Sequence, residues 1–265
     1  MNKHVMTRRE FCSAGAAVSA LIFSGEFSLL AAKEINVHSL LPYAVADYAH
    51  GIGKYVTLTG SEKRFVYRRH NWPVTGGGAK SRSQLIVETA GDQSVMTQLL
   101  DNGAGKIMMK LSVSGNSNGG IRGWALDSSI DNPVGIPADK LLVKEAGTVS
   151  GTSVKINRGK YTETVTHVNP VFALWQLFAL VPQLATKTKP AVIDLLDDGI
   201  VILPNQTIAF DGSVSFPDST GKQMEYDSYA LYGTGMEPVH FLYHQGAMPQ
   251  LVTAFMRMYV LESAV

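Results

Sequence analysis

Asn169-Pro-Val-Phe-Ala-Leu-Trp-Gln-Leu-Phe-Ala-Leu-Val-Pro-Gln-Leu-Ala185 decides how this chain folds. The stretch is apolar nearly all round, and a helix with no polar face is a buried one. The spacing predicts that helix over 171–185. Asn169 stands where a cap is wanted, and Pro170 suits the first helical position because its missing N–H would have no partner there. Pro182 predicts a stop or a kink. The segment is too short to span a bilayer, which takes about 20 apolar residues.

Outward from it, on both sides, the pattern changes to short β-type runs separated by clusters of Gly, Asn, Asp and Ser. Runs at 54–59, 63–70, 83–89, 94–100, 106–113 and 121–126 lie well before the helix, and 141–144, 152–156 and 161–168 lead up to it. After it come 200–203, 207–210 and 224–232. Arg158-Gly159 and Asp211-Gly212 read as hairpin turns, the second the stronger signal. The last run, 250–261, fits a helix or one face of a strand; Val252, Thr253 and Val260 are branched and weight it to strand. Strands at intervals of roughly 8–12 residues with few helices indicate a mainly β fold. The expectation is a curved antiparallel sheet, open barrel or sandwich packed around one buried apolar helix, with a short helical N-terminus at 35–50. No repeat or long linker divides it, so 32–265 reads as one β-rich domain.

The first thirty residues have another character. A polar, basic zone containing Thr7-Arg8-Arg9-Glu10-Phe11 is followed by an apolar zone of small residues from Ala14 to Phe23, and then by Leu29-Leu30-Ala31-Ala32. That is the layout of an export signal. Its Thr-Arg-Arg-x-Phe core, with Arg8, Arg9 and Phe11, resembles the twin-arginine (Tat) consensus, although Cys12-Ser13 stand where Leu-Lys is common. The resemblance implies that 1–31 is a leader, that the Tat translocon is a partner, and that the folded product works in the periplasm or outside the cell. The only cysteine, Cys12, lies in the leader. The leader carries three basic and two acidic residues of a chain whose net charge is +1, so the remainder is neutral. A neutral body lacks the basic excess that replaces counterions on nucleic acid.

Candidate chemistry is sparse. Gly115-Asn-Ser-Asn-Gly119 matches G-x-S-x-G, and Asp197 and His240 follow Ser117 in hydrolase order. A nucleophile elbow needs a strand before the serine and a helix after it; Gly119-Gly120-Ile121-Arg122-Gly123 is poor helix material, and a hairpin loop reads equally well. His240 and His244, four apart in a strand, would point to one face about 13 Å apart, too far for one metal ion, so no metal and no cofactor is expected. They read as half-exposed strand histidines. Asp194-Leu-Leu-Asp-Asp-Gly199 lacks the alternating spacing of a calcium loop and reads as a solvated turn. Phe65-Val-Tyr-Arg-Arg-His-Asn-Trp72 reads as an amphipathic strand with Phe65, Tyr67 and Arg69 on one face.

The region 192–255, with Gly233, Gly235 and Pro238, resembles a segment of the β-rich, non-catalytic N-terminal regions of some exported amidohydrolases; Leu242, Tyr243 and His244 depart from that pattern. The resemblance implies an accessory β domain without its catalyst. The expected function is therefore non-catalytic: an exported binding or accessory protein whose concave apolar face takes a hydrophobic ligand or a protein segment. Trp124, Phe172, Trp175, Phe178 and Tyr232 are the candidates for its lining. The alternative is an exported hydrolase, serine-type through Ser117 or a remnant of an amidohydrolase-like enzyme.

Overall fold

The computed structural model describes residues 54–71, 83–101, 106–115, 119–131, 143–197, 201–217, 220–254 and 257–265. The leader, the predicted helix at 35–50 and Ser117 lie outside the described residues. Period-two alternation builds the core. In β1 (Arg64–Asn71) and β2 (Gln84–Ala90), Phe65 and Tyr67, then Leu85 and Val87, turn to one side and are buried. β3 (Gln93–Asp101), β4 (Lys106–Ser114) and β5 (Gly123–Asp131) continue the pattern. Register aligns these positions into an apolar rung across five strands: Phe65, Val87, Met96, Leu111 and Leu126. The rung ends on charge, because β6 (Val143–Ser150) and β7 (Ser153–Arg158) place Glu145 opposite Arg158 there. Arg158 Nε donates to the buried Glu145 at 2.7 Å, and its Nη1 to Glu163 on β8 (Tyr161–Thr166) at 3.0 Å.

The described strands form one fifteen-stranded sheet, ordered β8 down to β1, then β15 down to β9. The second half is β9 (Val171–Ala173), β10 (Ala191–Asp197), β11 (Val201–Pro217), β12 (Gln223–Gly233), β13 (Met236–Tyr243), β14 (Leu251–Ala254) and β15 (Arg257–Ala264). Each strand pairs with its neighbour in the chain, the first described strand pairs with the last, and the single break falls between β8 and β9. Those two strands are the opposite edges of the sheet, yet Thr166 and Val171 are five residues apart, a span of at most about 17 Å. The sheet must therefore curl until its edges approach. Pairing is antiparallel throughout except for β9 with β10, which the helix-bearing connection makes parallel.

The expectation of a mainly β, open, curved sheet with one buried helix holds, but several boundaries move. Residues 54–59 form no strand. Strand β5 begins at Gly123, later than its apolar run suggested. Gly159 turns as expected, with Arg158 paired to Tyr161. Asp211-Gly212 is not a turn: β11 runs straight through it, and a bulge between Phe210 and Gly212 absorbs the irregularity, with Gly212 at φ 113°. Region 250–261 is strand, but as the two antiparallel partners β14 and β15.

The helix is shorter than predicted at its N-terminal end. Val171–Ala173 forms β9 because its backbone has β10 to pair with. A 3₁₀ turn, Leu174–Gln176, leads into α1, Leu177–Leu184. Asn169 does not cap it. Pro182 does not end it either, but sits inside the helix, where the carbonyl of Phe178, four residues back, loses its N–H donor. The hydroxyl of Tyr243 on β13 donates to that carbonyl at 2.8 Å. Burial pushes the Tyr243 pKa well above the ordinary tyrosine value, so the donor stays protonated. The Phe178 ring packs edge-on against Tyr67, Phe241 and Tyr259, with centroids 5.2, 5.8 and 5.8 Å away. At the other end, the buried Gln176 donates from Nε2 to the Gly115 carbonyl at 2.7 Å.

Asn169 serves the crossing between the sheet edges instead. The buried Asp194 on β10 accepts from the Asn169 amide at 2.9 Å, from Val168 N at 3.0 Å and from Asn205 N at 2.9 Å. This overturns the solvated-turn reading of 194–198: Asp194 is a strand residue holding the crossing loop against β10 and β11. Burial alone would raise its pKa, but the hydrogen bonds from Asn169, Asn205 and Val168 outweigh that and hold it below the ordinary carboxylate value of 3.8.

Two outcomes follow from these contacts. Tyr243→Phe leaves the Phe178 carbonyl buried without a donor and should cost about 1–3 kcal/mol, read as a lower urea midpoint at unchanged slope. Because Asp194 has a depressed folded-state pKa, its stabilisation is present above the unfolded value and lost as pH falls through the folded one. Stability should thus decline below about pH 4, and Asp194→Asn should flatten that acid limb in urea titrations at stepped pH.

Candidate functional site

The curl is wider than α1 on one side. There the helix faces β1, the β2–β3 turn and the segment after β13 across a cleft of about 250 Å³. Its apolar walls come from Phe65, Ala179, Leu180, Ala247 and Met248. Leu180 and Ala179 project from α1 towards it, while Phe65 belongs to the inward face of β1. Met248 is buried, carried in by the irregular segment 244–250, which the side chain of Gln250 ties down by exchanging hydrogen bonds with the backbone of Val56 at 3.0 and 2.8 Å. Ser94, Thr89 and Gln183 add neutral polar groups.

Among the described residues, Glu62 is the one ionisable side chain in this lining. Its Oε1 accepts from Thr59 N at 2.6 Å and from Thr59 Oγ1 at 2.8 Å, and its Oε2 from Gly60 N at 2.9 Å. These donors, led by the Thr59 N–H, lower its pKa to about 2. Hydrogen bonding to the charged form is the cause, so the carboxylate is both oriented and permanently charged at neutral pH.

The residues singled out in the sequence fall elsewhere. Trp124, Phe172, Trp175 and Phe178 are fully packed core. Trp124 lies flat over Gly147, where an added Cβ would come within 2.2 Å of its ring carbon Cζ2, so the glycine makes room for the indole. Tyr232 is 40% exposed on β12, alternating away from the inward Leu231. Core packing thus uses four of the five expected lining residues, because the sheet curls tightly enough to enclose them.

The hydrolase constellation is not assembled among the described residues. Asp197 ends β10, which lies three strands from β13, roughly 14 Å along the sheet, and His240 instead faces Asp211, with Nδ1 3.6 Å from Oδ2. His240 is buried, which corrects the half-exposed reading; His244, just beyond β13, donates from Nδ1 to the Glu225 carbonyl at 2.5 Å. The segment around Ser117 joins the antiparallel strands β4 and β5, the place of a hairpin loop, and no helix follows it.

No protein-family model matches the chain, and no curated protein matches it. Among solved structures it is similar to the crystal structure of a DUF1089 family protein from Pseudomonas aeruginosa, at 7% identity and a TM-score of 0.40, over 68% of this chain and 94% of that one.

Of the cleft residues, Ala179 and Leu180 lie in the stretch that sequence reading singles out; Glu62 is oriented by its own loop, through Thr59 and Gly60, and sequence reading missed both it and Met248. Carbon-detected NMR should find the Glu62 carboxyl titrating at about pH 2. Thr59→Val removes the hydroxyl donor and should move that midpoint upward.

Proposed function

We propose that this chain is an exported, non-catalytic binding protein whose ligand is a hydrophobic small molecule held between α1 and the concave face of the sheet. The observation that carries the reading is the cleft: side chains from the helix, β1 and the 244–250 segment border a space open to solvent. An open cleft with apolar walls and a few polar groups is the usual form of a ligand site. At about 250 Å³ it suits a single alkyl chain or small ring system better than a folded partner. Export rests on the Arg8-Arg9-x-Phe11 leader pattern, and passage through the Tat translocon suits a domain whose first and last strands must pair before the sheet is complete.

The test is recovery of the full chain from fractionated cells, followed by organic extraction and mass spectrometry. The expected result is mature protein in the periplasmic fraction carrying an amphiphile, with the ligand lost in Ala179→Trp, which fills the cleft from the helix side without altering the helical fold. Protein confined to the cytoplasm would overturn the export half. Protein free of any extractable ligand that also takes up no alkyl probe would overturn the binding half.

A further inference from the structure

We infer that the cleft selects an amphiphile with a positively charged head, an alkylammonium, whose tail enters between Ala179 of α1 and Ala247 while its head meets the Glu62 carboxylate. The inference rests on the ligand-binding reading above and adds the chemistry of the ligand's polar end.

Charge in the lining is one-sided. Glu62 supplies a negative charge, and among the described residues no Lys, Arg or His lines the cleft beside it. Arg64 pairs with Glu88 at 3.4 Å, Arg68 with Glu262 at 2.5 Å, and Arg122 with Asp92, and Arg69 of β1 is not part of the wall. Lys63, the next residue in the chain, is exposed and is not part of the wall.

Geometry makes the charge usable. Two donors bind Oε1 and one binds Oε2, so the carboxylate is held in place before any ligand arrives. A carboxylate offers about four lone-pair positions, which leaves Oε2 able to accept from an ammonium N–H. A quaternary head needs only the charge. Binding therefore requires no reordering of the Glu62 side chain, which is the usual entropic cost of an exposed ion pair. An anionic head meets repulsion here with no cation to offset it. The volume, just below the ~300–1,000 Å³ typical of small-molecule pockets, suits one chain rather than a two-chain lipid.

The test uses the full chain and three ten-carbon probes below their micellar concentrations: decyltrimethylammonium, decyl maltoside and decyl sulfate, titrated calorimetrically. The expected order is cation tightest, neutral next and anion weakest. Glu62→Gln removes the charge and keeps one acceptor oxygen, enough for Thr59, while the Gly60 N–H turns to water. It should weaken the cationic probe about five-fold, the scale of one partly screened charge pair, and leave the maltoside unchanged. Unchanged maltoside binding also shows that the variant is folded. Binding of all three probes with equal affinity, or a cation preference that survives Glu62→Gln, overturns the headgroup assignment alone. Failure of all three to bind overturns the ligand-binding reading and this inference with it.

Discussion

The structure depends on the seating of α1 inside the curled sheet. One residue, Phe178, makes the connection twice. Its ring is enclosed by Tyr67, Phe241 and Tyr259, which come from β1, β13 and β15, and its carbonyl takes the Tyr243 hydroxyl. The hydrogen bond compensates for Pro182, which deprives that carbonyl of its ordinary helical donor. A proline in a helix interior normally costs about 3 kcal/mol, and here the sheet supplies the missing donor. The helix and the β13 strand are thus fitted to one another through the Tyr243 hydroxyl.

Around this contact the sheet is arranged as a meander whose two ends meet. β1 pairs with β15, so the described chain starts and finishes in the middle of the sheet, while the free edges β8 and β9 lie where the chain crosses over. Asp194 holds that crossing by accepting from three backbone or side-chain donors of the loop and one from β11. A buried carboxylate is costly unless satisfied, and the four donors satisfy it. The edges differ in kind. β9 is three residues long and buried, whereas β8 is exposed, flanked by Tyr161 at 80% and Val168 at 84% exposure.

The candidate site follows from the same packing. A helix eight residues long cannot fill a curl made by fifteen strands. The aromatic cluster occupies one part, the 3₁₀ turn with Trp175 and Gln176 another, and the side towards β1 and the 244–250 segment is left as the cleft. Glu62 is placed at this cleft by a short loop that spends its own N–H groups on the carboxylate. A charge fixed in this way beside apolar walls is a recognition element of definite sign, and it is set by backbone geometry rather than by a neighbouring cation.

Alternation of apolar residues and the distribution of turn formers sufficed, from the sequence alone, to determine the strands from β1 to β4 and the mainly β class, because burial on one side of a strand imposes a period of two locally. The greasiness of 171–185 likewise determined that a helix would be interior. Tertiary structure decided what local patterns cannot encode. Val171–Ala173 became strand because β10 was available as a partner, Asp211-Gly212 became a bulge because β12 continued beside it, and Pro182 stayed helical because Tyr243 reached its orphaned carbonyl. Trp124, Phe172, Trp175 and Phe178 became core for one reason: which side chains a curled sheet encloses depends on pairings between residues far apart in the chain, nearly two hundred positions for β1 with β15, and no window of the sequence contains them.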